Sequence, residues 1–193
     1  MSTRTIGVAI AIPEPHGSEL QRVREGYGDQ LAGSIPTHIT LLPPTEVAAG
    51  DLDTIEKHLR TIAESEDAFE IQLRGTGTFR PVSPVVFVPI ALGIGDCERV
   101  EARVRSGPLR RDLAFPYHPH VTIAHDLPEE TLERAFVEMA GYDVRFSVWG
   151  FSLYEHGPDG VWRPQRDFPL GMPLPGPHPY GVSPRDSADR WRS

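Results

Sequence analysis

The sequence predicts an α+β fold in which one β-α-β-α-β unit is written twice, giving two lobes related by a pseudo-two-fold axis and antiparallel sheets that form a central cleft. Two observations carry this. Helix-like and strand-like segments follow one another in the same order in both halves, and counterparts recur at offsets of about 75–82 residues: Leu20 and Cys97, His38 and His120, Leu52 and Leu132, Phe69 and Val144. The second is a repeated triplet, His38-Ile39-Thr40 and His120-Val121-Thr122, each inside a strand-like run. The expected organisation is one bilobal domain over 1–168, with repeats at about 5–79 and 84–168, and a Pro-rich, flexible tail over 169–193.

The elements follow in order. Thr5 to Ile12 is a short apolar run that stops at Pro13-Glu14, too short to span a membrane, and is expected as a buried strand. Ser18 with Gln21 three residues later forms a capping box, and Leu20, Val23, Tyr27 and Leu31 mark one helical face ended by Gly33. The first triplet lies in a strand over 37–42, closed by Pro43-Pro44. Leu52, Ile55, Leu59 and Ile62 recur at helical spacing, and Phe69, Ile71 and Leu73 alternate with polar residues as a half-buried strand does.

After Arg80-Pro81 the order restarts. Val85 to Leu92 reads as a strand in which Pro89 implies an edge or a bulge. Cys97, Val100 and Val104 share a helical face that ends by Gly107-Pro108, and the second triplet follows. Pro128 opens a further helix carrying Leu132, Ala135, Phe136 and Met139, which Gly141 stops. Val144, Phe146 and Val148 alternate, and Gly150 is expected to shift the parity as a bulge, so that Phe151 and Leu153 continue the strand. Gly157-Pro158-Asp159-Gly160 then turns the chain into a last strand over 161–168.

Composition narrows the function. A net charge of −8 gives no general electrostatic attraction for long duplex nucleic acid, although a small nucleotide or a strand end remains open. All but Lys57 of the nineteen Lys and Arg residues are arginine, so an anion site would use guanidinium groups or histidines. The single Cys97 excludes an internal disulfide and a cysteine zinc site and fits a reducing compartment, so the expected location is the cytoplasm and the expected state a monomer.

In an extended strand, residues i and i+2 leave the same face, so His38 stands beside Thr40 and His120 beside Thr122, while Ile39 and Val121 point into a core. Two imidazoles facing each other across a cleft can act as acid and base near neutral pH. The threonine hydroxyls can donate hydrogen bonds to the non-bridging oxygens of a phosphate, where charge concentrates in the transition state. His16, His58, His156 and His178 lack a partner pattern and are expected on the surface.

Pro36-Thr37-His38-Ile39-Thr40-Leu41 and His118-Pro119-His120-Val121-Thr122-Ile123-Ala124 resemble the paired motifs of the 2H phosphoesterase superfamily, specifically its 2′-5′ RNA ligase or LigT-like family of RNA 2′,3′-cyclic phosphodiesterases. The resemblance covers about residues 5–168. It implies a bilobal fold, opening of a 2′,3′-cyclic phosphate to a 2′-phosphate without a metal or other cofactor, and a 2′-5′ ligase activity in some members. The implied substrate partner is a small cyclic nucleotide or an RNA 3′ end. By carry-over, His38 is the proton donor, His120 the proton acceptor, and Thr40 and Thr122 bind the phosphate. His118 and His125 are expected as supporting positions. Many relatives place an Arg where His125 stands, and strict alternation sends His125 to the face opposite His120. Two alternatives compete: a nucleotide-binding module of the same fold with little turnover, and a metal hydrolase using His118, His120 and His125 as ligands.

Overall fold

The computed structural model describes residues 2–171. Along the chain these form β1 (Thr3–Ala11), α1 (His16–Gly26), β2 (His38–Ala48), α2 (Leu52–Glu64), β3 (Phe69–Arg74), the short β4 (Gly77–Thr78), β5 (Val85–Leu92), α3 (Ile94–Val104), β6 (His120–His125), α4 (Glu129–Glu138), β7 (Asp143–Val148), β8 (Gly150–His156) and β9 (Trp162–Pro169). The strands make two antiparallel sheets. One has the order β2-β1-β8-β9; in the other, β5 pairs with β6 on one edge and with β4 and β3 on the other, and β7 lies beyond β3.

The two sheets show how the duplication is built. Each has a triplet-bearing strand outermost (β2 or β6), beside the opening strand of its own half (β1 or β5). The third strands are exchanged: β3, from the first half, pairs with β5, and β8, from the second, pairs with β1, so the strand equivalent to β3 is β8 and not the strand of Val144, β7, which lies beyond β3. The helices bury the faces their periodicity marked, with Ile55, Leu59 and Ile62 from α2, Cys97, Val100 and Val104 from α3, and Leu132 and Ala135 from α4. These join Ile6, Val8, Ile39, Ile71, Val88, Val121 and Ile123 from the strands in one core cluster. Burying a branched side chain of this kind contributes roughly 1.5–3 kcal/mol.

Several local expectations are corrected. Helix α1 begins at His16, two residues before Ser18, and the cap is inverted: Glu14 accepts from the Ser18 hydroxyl at 2.8 Å and from its N–H at 3.3 Å. The helix ends at Gly26 with Gly28 at φ 83°, so Leu31 lies beyond it and is exposed. Strand β2 runs through Pro43-Pro44 to Ala48, because it is an edge strand and because a register shift against Ile6 and Val8 takes up the prolines. For Pro89, expected at an edge or a bulge, the second alternative holds: it sits in an interior strand, between irregularities at Val86/Phe87 and opposite Gln72/Leu73.

Gly150 is no bulge within one strand. Residues 143–148 pair with β3 and residues 150–156 with β1, so the chain passes from one sheet to the other at Trp149. A side chain at Gly150 would meet the Phe168 carbonyl at 2.7 Å, and this close approach accounts for the glycine. At the other end, β9 includes Pro169, Leu170 is buried with its N–H bonded to the Trp149 carbonyl, and the Gly171 N–H bonds the Glu66 carbonyl. Residues 169–171 thus pack as part of the sheet and core. Residues 172–193, most of the expected flexible tail, lie outside the described residues.

Candidate active site

Strands β2 and β6 are the outermost strands of their sheets and approach each other, and each is backed by the opposite half, α3 packing on β2 and α1 on β6. The residue before the first triplet is pinned by α1: the Thr37 N–H donates to the Gln21 side-chain oxygen at 3.2 Å and the Thr37 hydroxyl to the Gly17 carbonyl at 3.1 Å. The segment before the second triplet is tied across to the first, the Tyr117 hydroxyl donating to the Thr40 carbonyl at 2.8 Å.

Both histidines are held in the same way. Nδ1 of His38 lies 2.8 Å from the Pro36 carbonyl oxygen, and Nδ1 of His120 lies 2.7 Å from the His118 carbonyl oxygen. A carbonyl can only accept, so each Nδ1 carries the proton and each neutral ring is left with Nε2 as its free base. This is the same two-residue backbond, made twice by chains of similar local sequence. Ile39 and Val121 are fully buried between half-buried neighbours, so the alternation read in the triplets holds. The hydroxyls of Thr40 and Thr122 make no hydrogen bond to another described residue.

Electrostatics pull both imidazoles below their ordinary value. His38 is brought down to about 4, chiefly by burial and further by the positive charge of Arg24 and by His120 across the cleft. His120 is lowered by burial and by its neighbour His118. The backbone bonds to Pro36 and His118 oppose these shifts without cancelling them. Arg24 is itself buried, its Nε donating to Asp29 at 2.7 Å.

The remaining candidates divide. His118 is exposed but packs its ring at the site, 6.1 Å from the His120 ring. His125 is not on the core side: one extra residue in β6 between Thr122 and Ala124 puts both Ile123 and Ala124 in the core and returns His125, half-buried, to the outward side with His120 and Thr122. His16 and His58 are not surface residues. His16 lies against Phe146 at 6.3 Å, and His58 is half-buried with Nε2 3.3 Å from the Val104 carbonyl. His156 is exposed beside Trp162, and His178 lies outside the described residues. Among the described residues no three His, Cys, Asp or Glu side chains are arranged to hold a metal ion, so His118, His120 and His125 do not converge as ligands.

Residues that sequence reasoning did not single out complete the surroundings. Phe79 and Phe87, 4.4 Å apart, both place their rings 5.0 Å from His120. Tyr117 and the Arg24–Asp29 pair were equally silent. The only available signal was the position of Phe79 just before Arg80-Pro81 and of Tyr117 just before the second motif.

A sequence model of the 2′-5′ RNA ligase superfamily matches residues 12–160. The chain belongs to that superfamily. Its similarity to curated relatives extends over nearly their whole length. A protein of Bacillus cytotoxicus with a provisional phosphoesterase name is 32% identical over 170 residues, 86% of this chain and 96% of the relative. One of Oceanobacillus iheyensis, named in the same way, is 26% identical over 167 residues, 86% of this chain and 97% of the relative. In fold the chain resembles E. coli LigT: the structure complexed with 3′-AMP has a TM-score of 0.67 at 19% identity, over 89% of this chain and 100% of LigT. The complex with NADP+ gives 0.65 at 20% identity over the same shares. The activity class that goes with this membership is a phosphoesterase of the 2H type. No helix among the described residues is long and apolar enough to cross a membrane.

Proposed function

We propose that the protein opens 2′,3′-cyclic phosphates of small nucleotides or RNA 3′ ends to 2′-phosphates, with His38 and His120 as the acid–base pair and Thr40 and Thr122 as phosphate donors. The observation that carries the reading is the matched pair of imidazoles, each presenting Nε2 from an edge strand with Nδ1 fixed by the carbonyl two residues earlier. One Nε2 takes a proton from water as the water oxygen bonds to phosphorus. The bond from phosphorus to the ribose O3′ breaks, and the other imidazolium gives its proton to O3′, leaving a 3′-hydroxyl and a 2′-phosphomonoester. In-line displacement needs the two groups on opposite sides of phosphorus, and the approach of the two outermost strands supports such a placement. The Thr40 and Thr122 hydroxyls, uncommitted to the protein, are free to donate to the non-bridging oxygens. With the 5′-hydroxyl of a second strand in place of water, the same two proton transfers on the cyclic phosphate form the bond from phosphorus to O5′, break the bond to O3′ and leave a 2′-5′ linkage with a free 3′-hydroxyl. The binding of 3′-AMP and NADP+ by LigT supports a nucleotide-sized ligand.

The test is a turnover screen over nucleoside 2′,3′-cyclic phosphates, cyclic-phosphate RNA ends, ADP-ribose cyclic phosphate and 2′-5′ linked dinucleotides, with and without EDTA. Turnover of a cyclic phosphate to a 2′-phosphate that survives chelation is expected. Loss on chelation, restored by one particular metal, or tight binding without turnover, would overturn the reading in favour of a metal hydrolase or of a binding module.

A further inference from the structure

The two triplet strands are equivalent, so a phosphodiester placed between His38 and His120 could lie in either of two directions. Their surroundings are not equivalent. On the β6 side, Phe79 packs edge-on against His118 and His120, and Phe87 packs edge-on against His118 and tilted against His120, with Phe79 5.6 Å and Phe87 5.4 Å from His118. Phe87 is buried, Phe79 half-buried and the His118 ring exposed, so the cluster runs outward from the core to an open aromatic surface beside His120. On the β2 side no described aromatic ring packs on His38, and the charged neighbour there is Arg24, held by Asp29.

We infer that the nucleobase of a nucleotide substrate packs on the ledge made by His118 and Phe79, so that the phosphodiester binds with its nucleoside toward β6. The inference deepens the phosphodiesterase reading and rests on it for the phosphate's position. A nucleobase is a flat apolar surface with polar edges, and stacking on aromatic side chains is tolerant of base identity. The ledge is also preorganised. Pro119 is buried and fixes the backbone between His118 and His120, and the His118 carbonyl is already committed to His120 Nδ1, so little side-chain freedom is lost when a base arrives. The ledge thereby breaks the pseudo-symmetry of the cleft and gives it a nucleoside end and an end open to water.

Two variants test this, His118→Ala, which removes an exposed ring, and Phe79→Leu, which keeps apolar bulk. Both leave the His118 carbonyl in place. Calorimetry compares adenosine 2′-monophosphate with inorganic phosphate, and kinetics compare adenosine 2′,3′-cyclic phosphate with base-free 1-O-methylribose 2′,3′-cyclic phosphate. The expected result is that the preference for the base-bearing compound over its base-free counterpart falls roughly tenfold in either variant, in affinity and in kcat/KM alike. A proportionate loss on both members of each pair would overturn the ledge and make these residues mere supports for His120. An unchanged preference in both variants would overturn it by placing the base elsewhere. If the wild-type chain turns over neither cyclic phosphate, the phosphodiesterase reading falls by itself, and the calorimetric preference still decides the ledge.

Discussion

The hydroxyl of Tyr117 donates to the carbonyl oxygen of Thr40 at 2.8 Å, joining the approach to one triplet to the backbone of the other. Burial raises the Tyr117 hydroxyl far above its ordinary pKa, so it stays a donor at any working pH. Tyr117→Phe keeps the ring and removes only the bond, leaving the Thr40 carbonyl short of a partner. A loss of about 1–2 kcal/mol of stability is expected. Because about 1 Å of misplacement can cost roughly 10²-fold in rate, kcat on a cyclic phosphate should fall tenfold or more while the chain stays folded by circular dichroism. Wild-type kcat in this variant would show that the strands keep their spacing without the tie.

Replacing His38 or His120 by Ala should each remove roughly 10²–10⁴-fold in kcat. Groups that serve a single displacement act as a unit, so the double variant should cost much less than the product of the single effects. Single effects that multiply would mean that the two rings do not work in one step.

The depressed imidazoles set the pH dependence. In the free enzyme the competent form has one ring protonated and one neutral, and both lie below the ordinary value near 6.5, with His38 near 4. The profile of kcat/KM should be bell-shaped with its maximum on the acid side of 6.5, the limbs reporting the pair rather than either ring. A bound phosphate stabilises the imidazolium, so the profile of kcat should lie at higher pH than that of kcat/KM. The same shift acts on stability. Between pH 6.5 and 4 the unfolded chain binds more protons at His38 than the folded chain does, so the stability it contributes above pH 6.5 is lost as the pH falls through this window. Urea midpoints measured across the window should drop, and less steeply in His38→Asn.

The duplicated order, the helix faces and the outward-facing triplets were legible because they rest on local period and on side-chain chemistry repeated at one spacing. What was not legible depends on partners distant in sequence. Nothing local marks β2 as an edge strand able to carry Pro43-Pro44, or residues 143–156 as two strands of different sheets, since pairing with β1 or β3 decides both. His125 was misplaced by a single extra residue in β6. Arg24, Phe79 and Tyr117 reach the site from a helix, a loop and the far side of the cleft, and their periodicity carries no record of it.

The last described residues offer a sharp test. A chain stopping after Gly171 keeps the buried Leu170 and its bond to the Trp149 carbonyl, and should stay soluble with wild-type melting temperature and activity on small cyclic phosphates. A chain stopping at Phe168 loses that plug and should melt several degrees lower. Equal melting temperatures would show that Pro169, Leu170 and Gly171 add nothing.

The exchange of β3 and β8 between the sheets bears on how the chain can be made. During synthesis the first half emerges with β1 and β2 formed but without β8, and its own third strand waits for β5, about a dozen residues further on. Neither half can close its sheet while the other is still unmade, so the repeats, though alike in the order of their elements, are not separable modules that fold in turn. The two triplet strands gain their full support only when the last strands dock. A nascent chain that still lacks β8 should therefore be catalytically silent, and any later loosening of one sheet is felt at both.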